Sequence, residues 1–211
     1  MHPSVLILLV GLLYLLAFGA LSFIRRQGLS VRFAVEGLII TLVGVFLVRA
    51  AVPVHPALFF LALYLITMRV RLLVDVGNWF SSRGQGNLAL AIYRFSLRLG
   101  PDQVSRLIVL INRGVALLRM NRPEEAYATL SQALADEQAR PGAKFMAAGY
   151  YNLGLACRRT GREAEAIRRF NEAIDALPTS VYAYAARNAL RSRSDHSESL
   201  EDDTLSNKAS E

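Results

Sequence analysis

The sequence predicts an all-α protein in two unlike parts, an apolar helical anchor at the amino terminus and a domain of helical hairpins after it. Two patterns carry this prediction. Three long apolar runs occupy the first third of the chain, and two later stretches repeat one order of glycine, alanine and bulky apolar residues at helical spacing. With 211 residues, 53% of them hydrophobic, the runs leave room for one small further domain.

The runs are Val5–Ile24, Phe33–Val52 and Ala57–Val76. The first two have about the length that crosses a ~30 Å hydrocarbon core as a helix. The third is interrupted by Arg69, Arg71 and Asp75, so its apolar centre is Ala57–Met68 and it is expected to continue as an amphipathic helix beyond the membrane. A cleaved signal would carry basic residues ahead of its apolar core, whereas here Met1 to Ser4 has none and Arg25 and Arg26 come after it. Arg25, Arg26 and Arg32 between the first two runs, and Arg69, Arg71 and Arg83 after the third, predict three spans with the amino terminus outside. The domain after them is then cytoplasmic, and the setting a bacterial inner membrane. Glu36 lies one helical turn from Arg32 and Asp75 one turn from Arg71, which predicts interfacial ion pairs rather than a proton or ion pathway. Arg49 is placed to reach headgroups from the outer end of the second run.

The hairpin signal is densest in YYNLGLACRRTGREAEAIRRFNEAIDALP, from Tyr150 to Pro178. Two helical patterns meet at Thr160-Gly161, and Pro178 stops the second. Gly154, Ala166 and Ala173 permit close approach of the two backbones, with Leu153, Ile167, Phe170 and Ile174 as the bulk between them. This spacing resembles the tetratricopeptide repeat, in which W-x2-L-G-x2-Y is followed by A-x3-F and then P. Leu153, Gly154, Ala166, Phe170, Ala173 and Pro178 match by identity, Tyr150 stands for the Trp, and Cys157 replaces the Tyr.

The same frame recurs upstream, where Gly114, Asn121, Ala126, Leu130 and Ala133 align with Gly154, Gly161, Ala166, Phe170 and Ala173. Arg113 and Gln138 depart from it, and the longer spacing implies an insertion near Pro141–Met146, read as loop and helix extension. The resemblance thus gives a short helical-hairpin solenoid over 81–193, with copies at 107–140 and 147–180 and a capping helix at 180–193. A degenerate half-copy at 87–100 is read from Gly86, Ala91 and Phe95. The polar, acidic segment 194–211 has no apolar period and is predicted to be disordered, the alternative being a tether that folds back on the basic helices and is screened by salt.

The resemblance implies partner binding, because the first helix of each pair in that family lines a concave groove that takes a peptide or a helix. On this frame the groove residues are Ile108, Ile111, Asn112, Val115 and Arg119 from one copy and Ala148, Tyr151, Asn152, Leu155 and Arg159 from the next. The family's carboxylate clamp wants Lys and Arg where this chain has Tyr182 and Ala186, so that variety is not expected. An alternative use of the groove stripe is packing between neighbouring repeats.

Composition narrows the remaining classes. The single cysteine, Cys157, permits no disulfide within the chain and is read as a buried small hydrophobe. His2, His55 and His196 are scattered, and no phosphate-cradling glycine loop or catalytic constellation is present, so no enzyme, metal or cofactor is expected. The formal charge of +7 is carried almost wholly by Arg, with a cluster at Arg158, Arg159, Arg162, Arg168 and Arg169. Three readings of the cluster stand: a solvated face, attraction to anionic lipid headgroups of the inner leaflet, or an acidic protein partner. Nucleic acid is not expected, because no recognised motif interleaves stacking aromatics with the basic residues. The leading expectation is a membrane-anchored adaptor or assembly factor. The other is a small subunit of a membrane complex whose spans make the contacts through Glu36, Arg49 and Asp75.

Overall fold

The computed structural model describes residues 2–24, 31–135 and 142–192. Among these the chain is helical, without strands. The helices are α1 (Pro3–Ile24), α2 (Val31–Arg49), α3 (Pro56–Ser82), α4 (Gly86–Arg98), α5 (Gln103–Arg119), α6 (Pro123–Leu134), α7 (Ala143–Arg159) and α8 (Glu163–Ala176), with a last helix, α9, over 181–192. Arg25, Arg26, Gln138, Pro141 and the acidic segment 194–211 lie outside the described residues.

The helices α1, α2 and α3 pack as an antiparallel bundle because glycines let them close on one another. A Cβ at Gly37 would lie 2.5 Å from Leu15 Cδ2, and one at Gly44 would lie 2.6 Å from the Phe59 ring and 3.1 Å from Ile7. Polar side chains are satisfied inside the bundle: Thr41 donates to the Gly37 carbonyl at 2.7 Å, and the hydroxyls of Tyr14 and Thr67 meet at 2.5 Å. The outward faces are apolar, with Leu13, Leu16 and Phe46 each 70% exposed. All three helices are long and apolar enough to cross a membrane. The second apolar helix lies slightly earlier than the predicted run: α2 begins at Val31 and stops at Arg49, beyond which Ala51 takes a φ of 61° and the N–H of Val52 returns to the Leu47 carbonyl. Pro53 comes next and bars further helix. His55 caps α3 by accepting from the Ala57 N–H at 3.3 Å.

The third apolar run does not end at the bundle. It continues as one unbroken helix to Ser82, and its last turns pack on α4 as α5 packs on α6 and α7 on α8. Each pair places a helix glycine under a large side chain of its partner helix: Gly77 under Tyr93, Gly114 under Leu130, Gly154 under Phe170. Each pair also turns through a left-handed residue at the same offset, Gly84 (φ 77°), Asn121 (φ 56°) and Gly161 (φ 75°). The hydrogen bonds of the three turns repeat, with Gln85 to Phe80, Arg122 to Leu117 and Arg162 to Cys157 at 3.0, 3.0 and 2.8 Å. Ala89, Ala126 and Ala166 then occupy equivalent, fully buried places.

This corrects the half-copy. Ala91 and Phe95 are exposed, Phe95 by 52%, while Ala89 and Tyr93 are buried in their stead. The frame has to be counted from Gly84, where the backbone is left-handed. Gly86 serves differently, as the first residue of α4 closed against Met120. The insertion near residue 141 goes partly into helix, since α7 begins at Ala143 and includes Lys144 to Met146. The last helix, α9, falls in the segment where a capping helix is expected, with Ala183 and Ala186 fully buried.

Polar bonds hold the junction of bundle and first hairpin. Glu36 accepts from Arg32 at 2.7 Å, as its spacing predicts, and also from both terminal nitrogens of Arg69 at 2.7 and 3.0 Å. Arg32 reaches on to the carbonyl of Gly100, in the loop between α4 and α5. Tyr93, at the centre of the first hairpin, donates to Asn78 Oδ1 of α3 at 2.7 Å.

Candidate functional site

The first helices of the hairpins, α3, α5 and α7, stand side by side in parallel, because their carboxy-terminal ends are linked rung by rung. Arg119 donates to Ser81 Oγ at 3.3 Å, and Arg159 donates to the Leu118 carbonyl at 2.7 Å. The two arginines are equivalent in the repeat frame, as are their acceptor positions. Both are among the residues expected to line a groove, and both also stitch one hairpin to the one before it.

The other predicted groove residues divide. Ile111 is only 4% exposed, meets the backbone of α7 at Gly149 and belongs to the main core, so its side chain is packing rather than groove wall. Ala148 is 7% exposed. Ile108 packs against the cluster that holds Val74 and Tyr93, and Leu155 against the main core, each half-buried. Val115 is half-buried on the same stripe. Asn112 and Asn152 use their side-chain amides at home, donating to the carbonyls of Ile108 and Ala148 at 2.8 and 2.7 Å. Tyr151 lies between the rings of Phe170 and Tyr182, at 5.9 and 6.1 Å between centroids. What remains open on this face is the half-exposed edge of Asn112, Val115, Tyr151 and Leu155, bounded by Arg119 and Arg159.

Beside this face the charged residues are arranged in pairs and stacks. Arg169 bridges Glu165 and Glu172 at 3.2 and 3.0 Å, Arg158 lies over the Phe170 ring, and Arg162 stacks on Tyr127 at 3.8 Å. Arg83 covers Trp79 in the same way. The Cys157 thiol is pushed up to about 11 by burial, with Glu165 adding to the effect, so the thiolate is scarce at neutral pH. Burial likewise holds the Tyr93 hydroxyl at about 12. At the clamp positions Ala186 is fully buried and Tyr182 is committed to Tyr151.

Sequence reasoning missed Ser81 as an acceptor and Gly77 and Tyr93 as a hairpin contact. The signal was present, since Gly77, Gly84, Ala89 and Tyr93 repeat the order of Gly114, Asn121, Ala126 and Leu130. It was concealed by the apolar run that leads into it.

Three hairpins in one register, closed by a single helix, define an α-solenoid, a class that typically serves binding rather than catalysis. Residues 105–179 match the family model for the tetratricopeptide repeat, so that segment is similar to members of the family. Among solved structures, the first TPR domain of human RPAP3, determined by NMR, is 20% identical with a TM-score of 0.52. The match covers 64% of this chain and 97% of that one. MamA from Desulfovibrio magneticus RS-1, residues 41 to the end, is also 20% identical, with a TM-score of 0.47 over 82% of this chain and 92% of the other. The likeness to the RPAP3 domain is one of fold. No curated protein matches the sequence.

Proposed function

We propose that this protein is a membrane-anchored adaptor in which α1, α2 and α3 cross the bilayer, the amino terminus lies outside, and the repeats hold a protein partner at the cytoplasmic face. The observation that carries the reading is the continuity of α3, which is at once the third apolar helix and the first helix of the first hairpin. An anchor and a binding domain that share a helix act as one body. The partner is a peptide or helix seated along Asn112, Val115, Tyr151 and Leu155, with Arg119 and Arg159 favouring acidic residues at its edge.

The proposed limits are an anchor up to residue 80 and a repeat domain from 81 to 193, with the boundary crossed by α3 rather than marked by a linker. A fragment beginning after the anchor would strip Tyr93 of its cover, so the test uses the full chain in lipid nanodiscs. A photo-crosslinking amino acid is placed in turn at Tyr151, Leu155 and the lipid-facing Phe46. Adducts to one soluble or peripheral protein at Tyr151 and Leu155, weakened at least ~10-fold by Arg159→Glu, support the adaptor. Adducts confined to Phe46 would instead make the spans the working surface.

A further inference from the structure

The carboxy-terminal ends of α3, α5 and α7 lie on one edge of the array, as the Arg119 to Ser81 and Arg159 to Leu118 links require. The amino-terminal part of α3 belongs to the apolar bundle, so this edge is the one remote from it. Along it run Arg83, Arg119, Arg122, Arg158, Arg159 and Arg162, against Glu124, Glu125 and Glu163. Two of those carboxylates are engaged, Glu125 by Arg122 at 2.5 Å and Glu163 by Arg158 at 3.6 Å. The edge therefore keeps a net positive charge, and its position turns it away from the leaflet that the sequence offered as a neighbour.

The last helix ends at the same edge. Arg158 donates to the Ala189 carbonyl of α9 at 3.0 Å, so the carboxy-terminal turns of α9 lie beside Arg158, and the chain leaves the described residues there. The remaining segment, 194–211, carries Asp195, Glu198, Glu201, Asp202, Asp203 and Glu211 against Lys208. An extended chain spans roughly 3.3–3.6 Å per residue, so Asp195 falls within ~10 Å of Ser192 and Asp203 within ~40 Å. Helices pack about 8–10 Å apart, so the run from Glu198 to Asp203 can reach past α7 to Arg119 on α5. A tether this short holds the carboxylates at millimolar effective concentration near the arginines, which offsets the weakness of each exposed pair.

We propose that the acidic segment 194–211 lies on this arginine edge as an intramolecular ligand and occupies it in competition with any acidic partner. The contact does not depend on the adaptor reading, because it requires only the edge and the tail of the same chain. It is tested on the full chain in nanodiscs of phosphatidylcholine, in a Cys157→Ala background, with spin labels at Thr204→Cys and either Ala164→Cys, near the edge, or Lys144→Cys, at the opposite end of α7. Pulsed electron resonance reads the distances. The expected result is a compact short-distance population to position 164 and a longer one to 144, separated by about the ~25 Å length of α7. The short population should fall at least roughly threefold in salt of about 0.5 M. It should fall equally in Glu198→Gln/Glu201→Gln/Asp202→Asn/Asp203→Asn, which alters no described residue. A distribution unchanged by neutralising the tail, equal distances to 164 and 144, or a short population that forms only when anionic lipid is added would each overturn the proposal.

Discussion

Replacing Gly77 with alanine puts the claim that α3 serves both bundle and solenoid to a direct test. The added Cβ would lie 2.5 Å from Tyr93 Cε1, 2.9 Å from Cζ and 3.0 Å from Cδ1. The ring has no free side to move to: Tyr93 is 0% exposed and packed among Val70, Val74 and Val109. Overpacking of this kind costs about 1–3 kcal/mol. Pushing the ring also strains the hydroxyl's bond to Asn78, worth roughly 0.5–1.5 kcal/mol. Against this stands the gain from alanine over glycine in a helix, about 1 kcal/mol. The balance is a loss of about 0.5–3.5 kcal/mol, concentrated where α4 meets α3. Hydrogen exchange on the full chain in detergent reads it locally, because a 2 kcal/mol loss speeds exchange through opening by ~30-fold. Amides of α4 should lose protection, those of α8 should not, and Gly154→Ala should do the reverse. If Gly77→Ala leaves α4 as protected as before while Gly154→Ala exposes α8, α4 does not depend on α3 and the first hairpin is wrongly drawn.

Three further outcomes are expected from the same structure. Cys157, buried and with its thiol at about 11, should resist alkylation at neutral pH in the folded protein and react fully in denaturant; rapid labelling of the native chain would place it at a surface. Tyr93 is held near 12, above the ordinary tyrosine value of about 10, so its contribution to stability is complete below pH ~10 and is lost as the pH rises through about 12. Phenolate absorbance should show a late-titrating tyrosine that disappears in Tyr93→Phe, and an unchanged titration curve would show that Tyr93 is not buried. A cytoplasm-dependent reporter should be active when fused after Glu211 and silent when fused before Met1, and the opposite pattern would reverse the proposed topology.

The second and third hairpins are legible in the sequence because Gly114 and Gly154, with the alanines and bulky residues downstream of them, sit in helices whose other face is polar. The first hairpin is harder to see. Its leading helix is also the third apolar run, and a helix apolar on most sides gives no amphipathic period from which to set a frame. Once Gly84 is recognised as the left-handed residue of the turn, Ala89 and Tyr93 fall into place, whereas counting from Gly86 selects the exposed Ala91 and Phe95. Which members of the groove stripe stay open is hidden for a related reason. Ile111 and Val115 are both apolar and both on the expected face of α5, yet only the docking of α7, with Gly149 closing on Ile111, decides which is sealed. The ion pair of Glu36 with Arg32 is local and readable from spacing, while its second partner, Arg69, comes from another helix and is not.

The unbroken course of α3 has a mechanical side. A rigid rod of 27 residues is ~40 Å long, and a helix accommodates a thinner or thicker bilayer chiefly by changing its inclination. Because the rod is built into the array, its inclination is the array's inclination. The four helices α3, α5, α7 and α9 span about 30 Å at ordinary packing distances, so a swing of ~10° carries the far end through ~5 Å. On the proposed reading, in which α3 crosses the bilayer, lipid composition acts as a lever on where the solenoid points, with no joint between bundle and array at which the motion is absorbed.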